Sequence, residues 1–301
     1  MQQVPKYPAK ILLFGEHILM QGAKALAAPL WRYGGFWTFA QEDILQKQMR
    51  LQEFVPYLES NDDILALDFS SFRRELAAGI FFQSDIPTGY GLGSSGALCA
   101  AVYDRYALNK IDRSESVNWP LLKKIFAVME NFFHGASSGI DPLISFLSRP
   151  ALLQPDGQIL PVELPRLNKG GIRLFLLDSR MDRKTEPLVS YFRNCCANSD
   201  FVHQMRTKLL YNSDEAIKAW IEGRTTAFQS AFNEVSRFQS AQLTPMIPAE
   251  ILSIWLKGLQ QESFMLKFCG AGGGGMFLGL AADWERTCHT LAEWPIHELD
   301  F

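Results

Sequence analysis

PTGYGLGSSGA, residues Pro87 to Ala97, sets glycines at 89, 91 and 93 directly ahead of two serines and an apolar run. Before it, Ile80 to Ile86 reads as a short strand. After it, Ala97, Leu98, Ala101 and Val102 recur at helical intervals over Ser94 to Ala107, with Ser94 or Ser95 placed to cap the helix. A strand, a glycine-rich turn and a helix start in that order gather unpaired backbone N–H groups at the positive end of a helix dipole, which suits a phosphate chain. No Lys-Ser/Thr pair follows the glycines, so the stretch is not a P-loop, and it does not sit in a Rossmann setting. A plain turn whose serines only cap the helix stays open on these residues alone.

Toward the N-terminus, PAKILLFGEH (Pro8 to His17) gives a buried strand over Lys10 to Phe14, entered by a lysine and left through a glycine, Glu16 and His17. Asp68 to Ile80 has helical spacing. Toward the C-terminus, Leu121 to Phe133 is an amphipathic helix with Leu122, Ile125, Phe126, Met129 and Phe133 on one stripe. Taken singly, Glu130 on that helix reads as a solvated carboxylate. The loop HGASSGIDP (His134 to Pro142) follows, and its Asp141 is either an acid–base group or an ordinary turn residue before proline. Ile172 to Leu177 reads as a strand, and Pro187 to Arg237 as helix broken at Asn198-Ser199-Asp200 and Gly223. Phe264 to Leu280 places five glycines (Gly270, Gly272 to Gly275) between two apolar strands, more than a tight hairpin needs. The change from strand-rich to helix-rich sequence near Asp182 to Pro187 divides the chain into 1–185 and 186–301.

Composition narrows the function classes. The 301 residues carry 29 basic and 32 acidic side chains, so no cationic surplus exists to hold a nucleic-acid backbone. No apolar run approaches the ~20 residues of a membrane span, and MQQVPKYPAK lacks the features of a signal peptide. The five cysteines are scattered without a CxxC pair, which argues against a disulfide framework or a zinc site and points to a reducing cytoplasm.

Together, and in this order, PAKILLFGEH, PTGYGLGSSGA, SSGIDP and FCGAGGGG resemble the GHMP kinase family, over nearly the whole chain. LLDSRMDRKTEPLV (Leu176 to Val189) is similar to the family's "DTG…R-x-T" strand and turn. Within the family, GEHILMQGAKALAAPL and the spacing from Glu130 through SGID look most like the mevalonate kinases. The resemblance implies an α+β fold of two lobes, the first like domain 2 of ribosomal protein S5 and the second ferredoxin-like. It implies ATP between them, on Gly91, Leu92, Gly93, Ser94, Ser95 and Gly96, with Gly272 and Gly273 closing from the second lobe. Asp141 matches the catalytic aspartate and Lys10 its lysine partner. Ser95 and Glu130 match the Mg²⁺ ligands, and Glu16 and His17 match residues near the substrate; apart from the resemblance, His17, Lys10 and Arg183 are the candidates to receive a carboxylate on the substrate.

The expected acceptor is a small-molecule alcohol, the primary hydroxyl of mevalonate. Phosphomevalonate, a sugar, a sugar phosphate or a non-catalytic ATP-binding role are the alternatives. Ile18, Leu19 and Met20 offer an apolar set suited to a branched five-carbon acid. Two departures stand out: Gly96 replaces the usual alanine, and Cys269 stands where threonine or serine is common. Beside a phosphate loop, Cys269 is expected to be the most alkylation-sensitive thiol. Oligomeric state stays open, a homodimer included.

Overall fold

The computed structural model describes residues 5–40, 42–167, 171–182 and 185–300. The apolar run around KILLF forms β1 (Tyr7–Phe14), buried on both faces, and pairs antiparallel with β2 (Ala25–Phe39). β2 survives Pro29 and the Gly34-Gly35 pair because the register jumps between Pro8 and Ala9. Ala9 pairs with Leu30 and Pro8 with Gly34, so residues 31–33 bulge out and the strand bends without ending. After α1 (Ile44–Glu59), α2 (Asp62–Leu65) and α3 (Phe69–Ala77) comes β3 (Ile80–Ser84), which pairs with the far half of β2. Asp68 caps α3 by accepting from the Ser71 N–H at 3.0 Å.

The glycine turn leads into α4 (Ser94–Tyr106), which is buried from Gly96 through Tyr103 and packs on β1. The amphipathic stretch forms α5 (Trp119–His134), with Leu122, Ile125, Phe126 and Met129 facing the core as the spacing requires. Next come α6 (Ile140–Leu147), β4 (Ala151–Leu153) and β5 (Ile159–Pro161), which complete the first sheet in the order β1-β2-β4-β5 with β3 also on β2.

β6 (Arg173–Asp178) belongs to a second antiparallel sheet. The change of sheet therefore falls between Pro161 and Arg173. The long helical region resolves into α7 (Thr185–Cys195), α8 (Ser199–Gln204), a π-helical turn over residues 205–210, α9 (Tyr211–Ile221) and α10 (Thr225–Gln242). Asn198 caps α8 by accepting from the N–H groups of Asp200 and Phe201. α11 (Ala249–Gln261), β7 (Phe264–Phe268), β8 (Met276–Ala281), α12 (Trp284–Thr290) and β9 (Ile296–Glu298) complete the chain. The second sheet runs β7-β8-β6-β9, with α10 and α11 packed on β7. The molecule is an α+β protein of two lobes, one per sheet. Among the described residues no helix is long and apolar enough to cross a membrane.

Candidate active site

The start of α4 is capped by neither serine. Gly93 is the N-cap, in the left-handed region at φ 74°, and makes no side-chain cap bond. The first backward helical bond is Ala97 N–H to the Gly93 carbonyl at 2.9 Å. The amides of Ser94, Ser95 and Gly96 thus precede the hydrogen-bonded ladder, and both hydroxyls are released for other work. Gly96 is fixed by a close approach: a Cβ there would lie 2.7 Å from the Pro142 nitrogen and 2.8 Å from the Asp141 carbonyl carbon. The family's usual alanine would push α6 away from α4 and carry Asp141 with it.

The Lys10 ammonium reaches Asp141 Oδ1 at 2.6 Å. Lys10 is anchored through its own N–H, which donates to the Leu92 carbonyl at 2.8 Å, tying β1 to the glycine turn. A carboxylate paired in this way can take a proton from a hydroxyl while the ammonium steadies the oxygen left behind.

Glu130 is buried, 3% exposed, not solvated as its sequence position alone suggests. The reason is tertiary. Ser95 Oγ donates to Glu130 Oε1 at 3.1 Å, and the Ser137 hydroxyl donates to Oε2. Burial, with the Asp141 charge adding to it, pushes the Glu130 carboxyl up to about 7, while the two serine hydroxyls and Lys10 oppose the shift. His134 Nε2 lies 3.0 Å from Ser95 Oγ. Among the described residues no group of three or more His, Cys, Asp or Glu side chains converges on a metal position. A hydroxyl beside a single carboxylate nevertheless fits Mg²⁺, which prefers oxygen and retains waters and phosphate oxygens as its other ligands.

Asp141, Glu130, His134 and the serine hydroxyls share one cleft of about 840 Å³, and Lys10 reaches Asp141 from outside its lining. Gly91, Leu92, Gly93, Ser94, Ser95, Glu130, His134, Ser137 and Asp141 line it from the first lobe, and Glu186, Val189 and Arg193 of α7 from the second.

The remaining expected residues lie outside those walls. Glu16 is buried against Lys267, whose ammonium stands 2.5 Å from Glu16 Oε1 and also donates to the carbonyls of Leu13 and Phe268. Burial pushes the Glu16 carboxyl up and the Lys267 charge opposes it. His17 stacks on Phe192 at 4.9 Å, and its Nε2 lies 3.2 Å from the Ala271 carbonyl, next to the second glycine loop. In that loop Gly273 N–H donates to the Met246 carbonyl at 2.7 Å and Gly275 N–H to that of Met181 at 2.8 Å. A Cβ on Gly275 would lie 2.9 Å from the Tyr90 carbonyl, so the two glycine loops meet. Arg183 falls outside the described residues.

Two further sequence expectations are corrected. Ile18 is 1% exposed and Met20 is 90% exposed, so they form no common apolar wall: one enters the core and the other faces solvent. Cys269, 4% exposed, is buried at the end of β7 and is not the accessible thiol of the chain. Lys267 and Arg193 were not singled out by the sequence. A lysine within an apolar strand was the only trace of the first.

Comparison with known proteins identifies the chain. Residues 64–149 match the GHMP kinases N terminal domain. A mevalonate kinase from Pyrococcus furiosus is 30% identical, with 96% of this chain and 92% of that protein covered. In structure, Lactococcus lactis galactokinase complexed with galactose matches at a TM-score of 0.66, 15% identity and 99% and 93% coverage. L. major mevalonate kinase in complex with R-mevalonate matches at 0.65, 16% identity and 99% and 95% coverage. Such similar scores for two different acceptors establish the fold and do not choose between substrates. With a full-length relative at that identity and the cleft described above, the chain belongs to the GHMP kinases, a family of ATP-dependent kinases.

Proposed function

We propose that the protein transfers the terminal phosphoryl group of ATP to the primary hydroxyl of mevalonate. The observation that carries the reading is the Lys10–Asp141 ion pair at 2.6 Å, set against the open start of α4. The full-length likeness to a mevalonate kinase supports the choice of acceptor.

In this reading the amides of Gly91 to Gly96 receive the phosphate chain at the positive end of α4. Asp141 accepts the proton of the acceptor hydroxyl, and Lys10 stabilises the developing alkoxide. Ser95 Oγ and the Glu130 carboxylate would hold Mg²⁺, which would neutralise charge on the phosphate oxygens. Glu16 and His17 stand on the acceptor side: Glu16 is held by Lys267, and His17 closes against Ala271 of the second glycine loop. Gly272 and Gly273 act through that loop's contact with the rest of the site. Phosphoryl transfer depends on positioning and charge neutralisation, and these residues supply both.

A coupled ADP-release assay with ATP and Mg²⁺ tests the acceptor across mevalonate, phosphomevalonate, galactose and homoserine. Mevalonate should give the highest kcat/KM, with the product phosphorylated on its primary hydroxyl. Faster turnover of galactose or homoserine would refute the acceptor and leave the kinase chemistry standing.

A further inference from the structure

Three acidic residues, Glu130, Asp141 and Glu186, line the cleft. An acceptor that carries its own carboxylate meets repulsion there unless a cation receives it. The nucleotide's charge has the α4 amides and the metal; the acceptor's charge needs a separate partner. Lys10 is committed to Asp141, His17 Nε2 faces the Ala271 carbonyl, and His134 Nε2 faces Ser95 Oγ. Arg193 remains. Its side chain is exposed, lines the cleft, and makes no ion pair or hydrogen bond among the described residues.

Its place on α7 also separates the two ends of the cleft. Glu186, Val189 and Arg193 follow one another at i, i+3 and i+7, so a single face of α7 forms the second lobe's wall. Just ahead of α7, Asp182 lies near Gly89, and within its first half Leu188 packs against Gly273, which puts that end beside the glycine turns. One turn further on, Phe192 stacks on His17, next to Arg193, which puts the other end beside the acceptor side. The last turn of a helix also favours a cation, because it carries the negative end of the dipole.

From this geometry we propose that Arg193 binds the carboxylate of the acceptor and makes the enzyme selective for an acidic alcohol. The inference rests on mevalonate being the acceptor. A guanidinium presents two parallel N–H donors that match a carboxylate, and lysine supplies only a point charge. One such charge-assisted contact is worth ~10–100-fold in affinity.

The test compares wild type, Arg193→Gln and Arg193→Lys with mevalonate and with its uncharged amide, measuring KM for acceptor and for ATP. In Arg193→Gln the KM for mevalonate should rise ~10–100-fold. The KM for ATP should stay within about twofold, and the preference for acid over amide should disappear. Arg193→Lys should restore part of that preference. An unchanged preference in Arg193→Gln, or a raised KM for ATP with that for mevalonate unchanged, would overturn the assignment; the second result would put Arg193 on the nucleotide. Failure of the underlying reading looks different: wild type itself would leave mevalonate unphosphorylated, and the Arg193 assignment would fall with it.

Discussion

The Lys267 ammonium of the second lobe stands 2.5 Å from the Glu16 carboxylate of the first, with side chains 0% and 3% exposed. Lys267 also lies 4.9 Å from the centre of the Phe14 ring, so the charge is enclosed by apolar groups and backbone carbonyls. This pair fastens the turn after β1, which carries His17, to the strand that leads into the second glycine loop.

Lys267→Met should therefore destabilise the protein by about 3–5 kcal/mol, because it leaves Glu16 buried without its counter-charge. Adding Glu16→Gln to the same variant should recover much of that loss, since no unpaired charge remains. Urea denaturation of the three proteins measures both effects. A single variant within about 1 kcal/mol of wild type would show that the pair does not hold the lobes.

Glu130 gives stability a pH dependence of known sign. Its carboxyl is raised from 4.5 to about 7 by burial and by the Asp141 charge. The native state therefore holds this proton more tightly than the unfolded chain does. The resulting stabilisation is complete below about pH 4.5 and is lost as pH rises through about 7, on the order of 3 kcal/mol in metal-free protein. Glu130→Gln, which cannot ionise, should flatten the slope between about pH 5 and about pH 8. Denaturation curves with the same slope in both proteins would remove Glu130 as its source.

The parts of the fold that were legible in the sequence are those whose cause is local. α4, α5, β6, β7 and β8 show their own periodicity or apolar runs, and the structure begins and ends them within a few residues of that reading. β2 was hidden because Pro29, Gly34 and Gly35 read as breakers, and only the bulge at residues 31–33 explains why pairing continues. In the site, Lys10 and Asp141 were legible through motif resemblance. The burial of Glu130 was not, because it depends on Ser95 and Ser137 folding onto it. Lys267 has its partner 251 residues away, and no local pattern marks such a pair. Arg193 has ordinary helical spacing, and only the neighbouring lobe makes its face a cleft wall.

Ser95→Ala should raise the Mg²⁺ concentration needed for half-maximal activity on the order of tenfold, the effect of one lost oxygen contact to a charge. Saturating Mg²⁺ should restore most of the rate. A superimposable Mg²⁺ titration for the variant would mean that the hydroxyl serves only Glu130 and His134.

Cys269 should resist alkylation in the native protein, and Cys99 should do the same, since both are buried. Cys195, Cys196 and Cys288 are half-exposed and should be modified first, although burial raises the thiols of Cys196 and Cys288. Peptide mapping after brief iodoacetamide treatment checks the order. Early labelling of Cys269 would show that β7 opens readily at its loop end.

The most direct test is Asp141→Asn, assayed for ATP binding and for turnover of mevalonate on the same preparation. The amide keeps the shape of the side chain and cannot take the hydroxyl proton. ATP affinity should stay within a few-fold of wild type while kcat falls ~10²–10⁴-fold. Turnover within a few-fold of wild type, with ATP still bound, would contradict the central role given to the Lys10–Asp141 pair.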